Sequence, residues 1–152
     1  MPADLSELAY QLALRALNQQ EVGLAELRSR TNTLLAAAAV SVSFLGAPAI
    51  DRGGVSVWVV LALVAFAVTV GLCLFVLIPT SLIFALDGTR VYEALYEHAD
   101  DPGEVHRQLA YWLQSFHAAN APKIERRRAR FRDAAMALGA QILLLIVALG
   151  VS

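Results

Sequence analysis

The stretch KIERRRARFRD, Lys123 to Asp133, places six basic residues among the ten from Lys123 to Arg132. Two chemistries suit such a run. Guanidiniums can grip phosphate oxygens two at a time, or they can hold the base of a helix at an anionic membrane surface, where each contributes about 1 kcal/mol. At helical spacing Arg126, Arg130 and Asp133 fall near one face, while Arg127, Arg128 and Arg132 point elsewhere. Reading duplex nucleic acid needs a helix free to approach a groove. Here the apolar AAMALGAQILLLIVALGV follows at once, so duplex nucleic acid is not an expected partner. Membrane-surface anchoring and contact with a phosphate-bearing ligand or lipid both stay open for Lys123, Arg126, Arg127, Arg128, Arg130 and Arg132.

Other chemistry-bearing residues lead to less. His98, His106 and His117 stand eight and eleven positions apart, without the three- or four-residue step that sets metal ligands on one helical face. No serine occupies a nucleophile elbow, and Gly53-Gly54 is isolated, so no phosphate-cradling loop is expected. Glu93, Glu97, Asp100, Asp101 and Glu104 gather where one helix gives way to the next, which suits capping and a solvated face. Cys73 is the single cysteine and lies in an apolar run, so no intrachain disulfide can form. No catalytic residue, metal site or cofactor is expected, and the chain does not read as an enzyme.

The elements that carry these residues are helices. Apolar residues make up 58% of the 152-residue chain and charged residues 16%, against about 45–50% and about 25% in ordinary globular domains. The mean hydropathy is +0.58, and the excess falls in blocks. Thr31 to Ile50 carries no charge and, at about 20 residues, matches a hydrocarbon core of about 30 Å. A tight turn is expected at Asp51–Gly54 (DRGG). The next run, Val55 to Leu86, is too long for one crossing, so its helix should leave the hydrocarbon near Pro79. A third span covers Ala134 to Val151, broken only by Gln141.

Inside these spans the polar and small residues matter, because lipid offers a polar atom no partner. Ala39-Ser43-Ala47, Ala67-Gly71 and Ala135-Gly139 form rows of small residues four apart, which let helices approach closely. They suit packing within one protomer or an interface between protomers. Gln141 suits a clamp across a helix pair or a polar lining in an oligomer. No Asp, Glu, Lys or Arg lies inside a span, which speaks against a proton-coupled pump or a charged permeation path.

The expected fold is therefore an all-α integral membrane protein with three transmembrane helices. Residues 1–30 form an amphipathic helix with Tyr10, Leu14, Leu17, Leu24 and Leu27 on one stripe. Residues 31–86 form a two-span hairpin, 87–133 a polar helical section, and 134–152 the third span. Within 87–133 a helix over Asp87–Ala99 is followed by one capped by Asp101, with Pro102 in its first turn, and Pro122 should kink or restart it. Eleven of the twelve Lys and Arg fall on one side, Arg52 alone on the other. The positive-inside rule then puts the N-terminus and residues 87–133 in the cytoplasm and the C-terminus outside. The opening MPADLSELAYQLAL lacks the form of a cleavable signal peptide.

This layout resembles that of small bacterial transmembrane effectors of antiphage signalling, those of Pycsar systems and the related SLATT group. The residues that carry the resemblance are RSRTNTLLAAAAVSVSFLG at the first span, LFVLIPT closing the second, and ERRRARFRDAAMALG entering the third. The resemblance implies an inner-membrane protein that oligomerises or rearranges, on a nucleotide second messenger, to impair the membrane. Its implied partners are the lipid bilayer, further copies of itself, and a cyclic nucleotide or a cyclase-associated protein. The alternative function is a non-catalytic membrane scaffold or regulatory subunit of another membrane protein.

Overall fold

A computed structural model describes residues 3–53, 55–79, 82–84, 86–96 and 101–151. Its elements are α1 (Ala3–Ser41), a π-helical turn (Val42–Gly46), α2 (Ala47–Gly53), α3 (Val57–Leu77), α4 (Gly88–Leu95) and α5 (Pro102–Val151). There is no strand among the described residues. Three helical stretches are long and apolar enough to cross a membrane: Leu5–Asp51, Val57–Leu77 and Pro102–Val151.

Local signals set most of the ends. Ser56 is the N-cap of α3, its hydroxyl accepting from the Val59 amide at 3.4 Å. The helix stops because Pro79 drives Ile78 out of the helical region (ψ 127°). Asp87 caps α4 through the Thr89 amide at 3.1 Å. Asp101 opens α5 by accepting from Gly103 at 3.0 Å and Glu104 at 3.2 Å, with Pro102 as the first helical residue.

α1 runs through residues 30 and 31 without a break, the Thr31 hydroxyl bonding back to the Leu27 carbonyl at 2.7 Å. Two boundaries differ from the sequence reading. The turn expected at Asp51–Gly54 is narrower, because α2 extends through Gly53; Gly54 lies outside the described residues. Nor does the helix restart at Pro122, which sits inside α5. Tertiary bonds just before it hold the chain helical: Gln20 Nε2 donates to the His117 carbonyl at 3.1 Å. The buried Asn120 meanwhile brackets the Ile83 backbone, accepting from its amide at 3.3 Å and donating to its carbonyl at 2.8 Å.

The chain divides into two compact units, Met1–Ala25 with Thr80–Ile124, and Glu26–Pro79 with Glu125–Ser152. In the first, Leu17 and Leu24 of α1, Leu95 of α4, and Leu113 and Ile124 of α5 are buried. Leu14, placed on the same stripe by sequence, is 41% exposed. In the second, Leu27, Thr31 and Ala38 of α1 are buried, as are Ala62, Cys73 and Val76 of α3 and Ala134, Gln141 and Leu145 of α5. Ala49, Val59 and Ala148 form one cluster, with Leu149 packed against it.

The buried positions keep a strict rhythm. Along α5 they fall at 113, 120, 124, 127, 134, 141, 145 and 148, and along α1 at 17, 24, 27, 31 and 38. Steps of three, four and seven are the repeat of coiled-coil packing. Beyond Ala38 the next buried residues are Gly46 and Ala49, one residue later than that repeat allows. The π-helical turn at Val42–Gly46 absorbs the extra residue.

Leu113, 1% exposed, and Leu14 test this assignment. Leu113→Ala is expected to cost about 2–5 kcal/mol and Leu14→Ala less than about 1 kcal/mol. Chemical unfolding of the detergent-solubilised protein, followed by tryptophan fluorescence, measures both.

Candidate functional site

A helix end leaves its last carbonyls without intrahelical donors and carries a partial negative charge. At the end of α3 the difficulty is sharper, since Pro79 has no N–H to offer. Ile78 N donates to the Leu74 carbonyl at 2.9 Å, and the Ile78 carbonyl accepts from Arg127 Nη2 at 2.6 Å. Arg127 is 5% exposed. Burial, and then the charge of Arg28, push its proton affinity below the usual guanidinium range, but an arginine stays protonated throughout the physiological range.

The rest of the basic run is distributed differently. Arg130 is exposed and lies over the Phe75 ring, 5.5 Å from its centroid, a cation–π contact that also ties α5 to the end of α3. Arg128 pairs with Glu125 at 3.5 Å on the surface. Lys123, Arg126 and Arg132 are exposed. The run thus has one member inside the helix packing and five outside it.

Gln141 is fully buried. Its Nε2 donates to the Ala38 carbonyl at 3.2 Å, joining α5 to α1 within the second unit. Its Oε1 is shielded from solvent and has no hydrogen-bond donor among the described residues. The small-residue rows lie elsewhere. Ala39, Ser43, Ala47, Ala67, Gly71, Ala135 and Gly139 are all exposed on the protomer. A Cβ added at Gly71 or Gly139 meets nothing within 4 Å. The small residues that pack the protomer are instead Ala38, Gly46, Ala49, Ala62, Ala134 and Ala148.

Among the described residues, several titratable groups of the first unit are engaged in caps, ion pairs and ring contacts. His106 stacks on Tyr10 with ring centroids 5.5 Å apart and planes 18° apart. Asp101 caps α5, and Glu104 holds Arg107 and Gln108. His98, Glu97 and Asp100 lie outside the described residues. Among the described residues no three His, Cys, Asp or Glu come together as metal ligands. A groove of about 400 Å³ is lined by Ile83, Leu86, Val91, Ala94, Trp112 and Phe116, with Asp87 at its edge. Such a lining suits apolar contact.

Sequence reasoning passed over Gln20, Arg28 and Asn120 as packing residues, and it placed Arg127 off the face of Arg126 and Arg130 without giving it a packing role. One signal could have found two of them: Asn120, Arg127 and Gln141 are seven and fourteen residues apart, one position of a seven-residue repeat. Comparison of the chain with protein-family models, with curated proteins and with solved structures finds no match.

Removing a donor from a buried carbonyl costs more than removing a surface charge. Arg127→Ala is expected to destabilise the protein by about 1.5–3 kcal/mol, and Arg126→Ala by less than about 0.5 kcal/mol. Parallel unfolding of the two variants in one detergent distinguishes them.

Proposed function

We propose that this chain is a bacterial inner-membrane effector of antiphage defence, which oligomerises or rearranges to impair membrane integrity when a nucleotide second messenger appears. The observation that carries the reading is the outward placement of the three small-residue rows. Rows of this kind let helix backbones approach closely in lipid, and here the protomer does not use them itself. Gly71 and Gly139 leave open ground for a neighbouring helix. Three apolar helices give the protein the means to sit in a bilayer. The trigger and the biological setting are taken from the resemblance of the layout to small antiphage effectors.

The proposed orientation has the N-terminus and the section between α3 and the last span in the cytoplasm, and the C-terminus outside. It rests on eleven of the twelve basic residues lying to one side. No charged side chain is needed within the bilayer for this activity, since damage follows from helices regrouping rather than from moving a selected ion.

Gly71→Leu combined with Gly139→Leu is expected to leave the protomer folded, because each site is open, and to abolish both cross-linked oligomers and triggered dye entry. Wild-type protein, expressed with its genomic neighbours and exposed to phage, should collapse the membrane potential; unchanged potential and dye exclusion would refute the reading. Orientation is tested with single cysteines at Val55 and Glu125 in a Cys73→Ala background. A membrane-impermeant maleimide on intact cells should label position 55 and spare position 125.

A further inference from the structure

Where α3 ends, the surface of the second unit passes from apolar to basic within one contact. Leu74, Phe75 and Ile78 are exposed on α3, Phe75 by 64%, and Pro79 follows. The guanidinium of Arg130 lies over the Phe75 ring, 5.5 Å from its centroid. Both residues belong to the second unit. Arg130 is exposed and makes no hydrogen bond or ion pair among the described residues. Its neighbours in the run are committed otherwise, Arg127 to the Ile78 carbonyl and Arg128 to Glu125. Arg126, one turn before Arg130 on α5, is exposed and forms no ion pair among the described residues. Asp133, three residues after Arg130, is half-buried and pairs with neither.

A ring attracts the guanidinium charge but offers no oxygen lone pair, so the five N–H donors still need acceptors. What supplies them depends on depth. If α3 and α5 span a bilayer, Phe75 stands in the last turn before the helix ends at Pro79. Arg130 stands four residues before the uncharged run that opens at Ala134. The pair then sits where hydrocarbon gives way to headgroups, the level to which arginine side chains reach. A phosphate group presents two oxygens to a guanidinium fork, and an acyl chain suits the exposed Leu74, Phe75 and Ile78. A choline headgroup carries its own cation beside the phosphate and offsets the attraction. An anionic headgroup keeps it whole, and Arg126 adds charge of the same sign.

We infer that Arg130 and Phe75 form a seat for one anionic phospholipid. Its phosphate meets the Arg130 fork, and an acyl chain lies against Leu74, Phe75 and Ile78. The seat rests on the proposed membrane placement of α3 and α5, but on neither oligomerisation nor damage to the membrane.

The test reconstitutes the purified full-length protein in phosphatidylcholine vesicles with a trace of spin-labelled phosphatidylglycerol or spin-labelled phosphatidylcholine. Electron paramagnetic resonance reads the share of each labelled lipid whose motion the protein restricts. Wild type is expected to prefer phosphatidylglycerol about five-fold, roughly what one arginine contributes at an anionic surface. Arg130→Gln should bring the ratio close to one. Arg130→Lys keeps the charge but loses the fork, and Phe75→Leu keeps an apolar surface but loses the ring; both should fall between. Arg132→Gln removes the same charge from an exposed site elsewhere on α5 and should leave the ratio unchanged. The restricted share of phosphatidylcholine, which needs only inserted helices, should be the same in every variant. Equal losses in Arg130→Gln and Arg132→Gln would mean diffuse attraction and overturn the seat. Loss of the preference in inorganic phosphate, but not in chloride of equal ionic strength, would also overturn it, since the anion need not then be a lipid. Restricted lipid without any preference refutes the seat alone, whereas no restricted lipid of either kind refutes the membrane placement with it.

Discussion

A straight α-helix cannot keep one narrow face buried over its whole length by repeating every seven residues, because it drifts about 20° per heptad. The buried positions of α5 nevertheless keep steps of three, four and seven from Leu113 to Ala148, the repeat that coiled-coil packing uses. Within that face three polar residues share one heptad position, and each bonds to backbone. Asn120 holds Ile83, Arg127 holds Ile78, and Gln141 holds Ala38. A backbone carbonyl occurs at every residue, yet only one lies within reach in a given register, so these bonds fix where each segment sits against α5.

Because the heptad face supplies the packing within the protomer, the opposite faces of the span-forming segments are left with other duties. They carry exposed Val, Leu, Ile and Phe, which lipid accommodates, interleaved with the rows through Ser43, Gly71 and Gly139. In the proposed effector, association between protomers therefore draws on surface that folding has not consumed. A transition from separate protomers to an assembly need not break the bonds of Arg127 or Gln141.

Much of the helical plan was legible in the sequence because its signals are local. Asp87 and Asp101 stand where caps are needed, Pro79 ends α3, and the uncharged runs announce helices long enough for a bilayer. What escaped depends on partners distant in the chain. Pro122 reads as a break until Gln20 and Asn120 are seen holding the preceding turn. Arg127 is chemically identical to Arg126 and Arg128, and what distinguishes it is a carbonyl 49 residues away. The small-residue rows were visible, but spacing alone does not say whether a row faces the protomer or its surroundings. The π-helical turn left no local mark, because it answers a mismatch of one residue between α1 and the elements it packs against.

The two ends of α3 are held by unlike means, Ser56 at one and the Ile78–Arg127 bond at the other. Its 21 residues measure about 31 Å. Pinned in this way, α3 has little freedom to slide or to lengthen by a turn. Where the hydrocarbon thickness differs from that length, the mismatch passes to the lipid, which must thin, thicken or let the helices tilt together. In the proposed inner-membrane effector, α3 would act as a gauge of bilayer thickness, and each copy would impose the same local deformation on the membrane around it. Deformations of one kind attract when they overlap, so elastic strain in the lipid adds a force toward clustering that no side chain needs to supply.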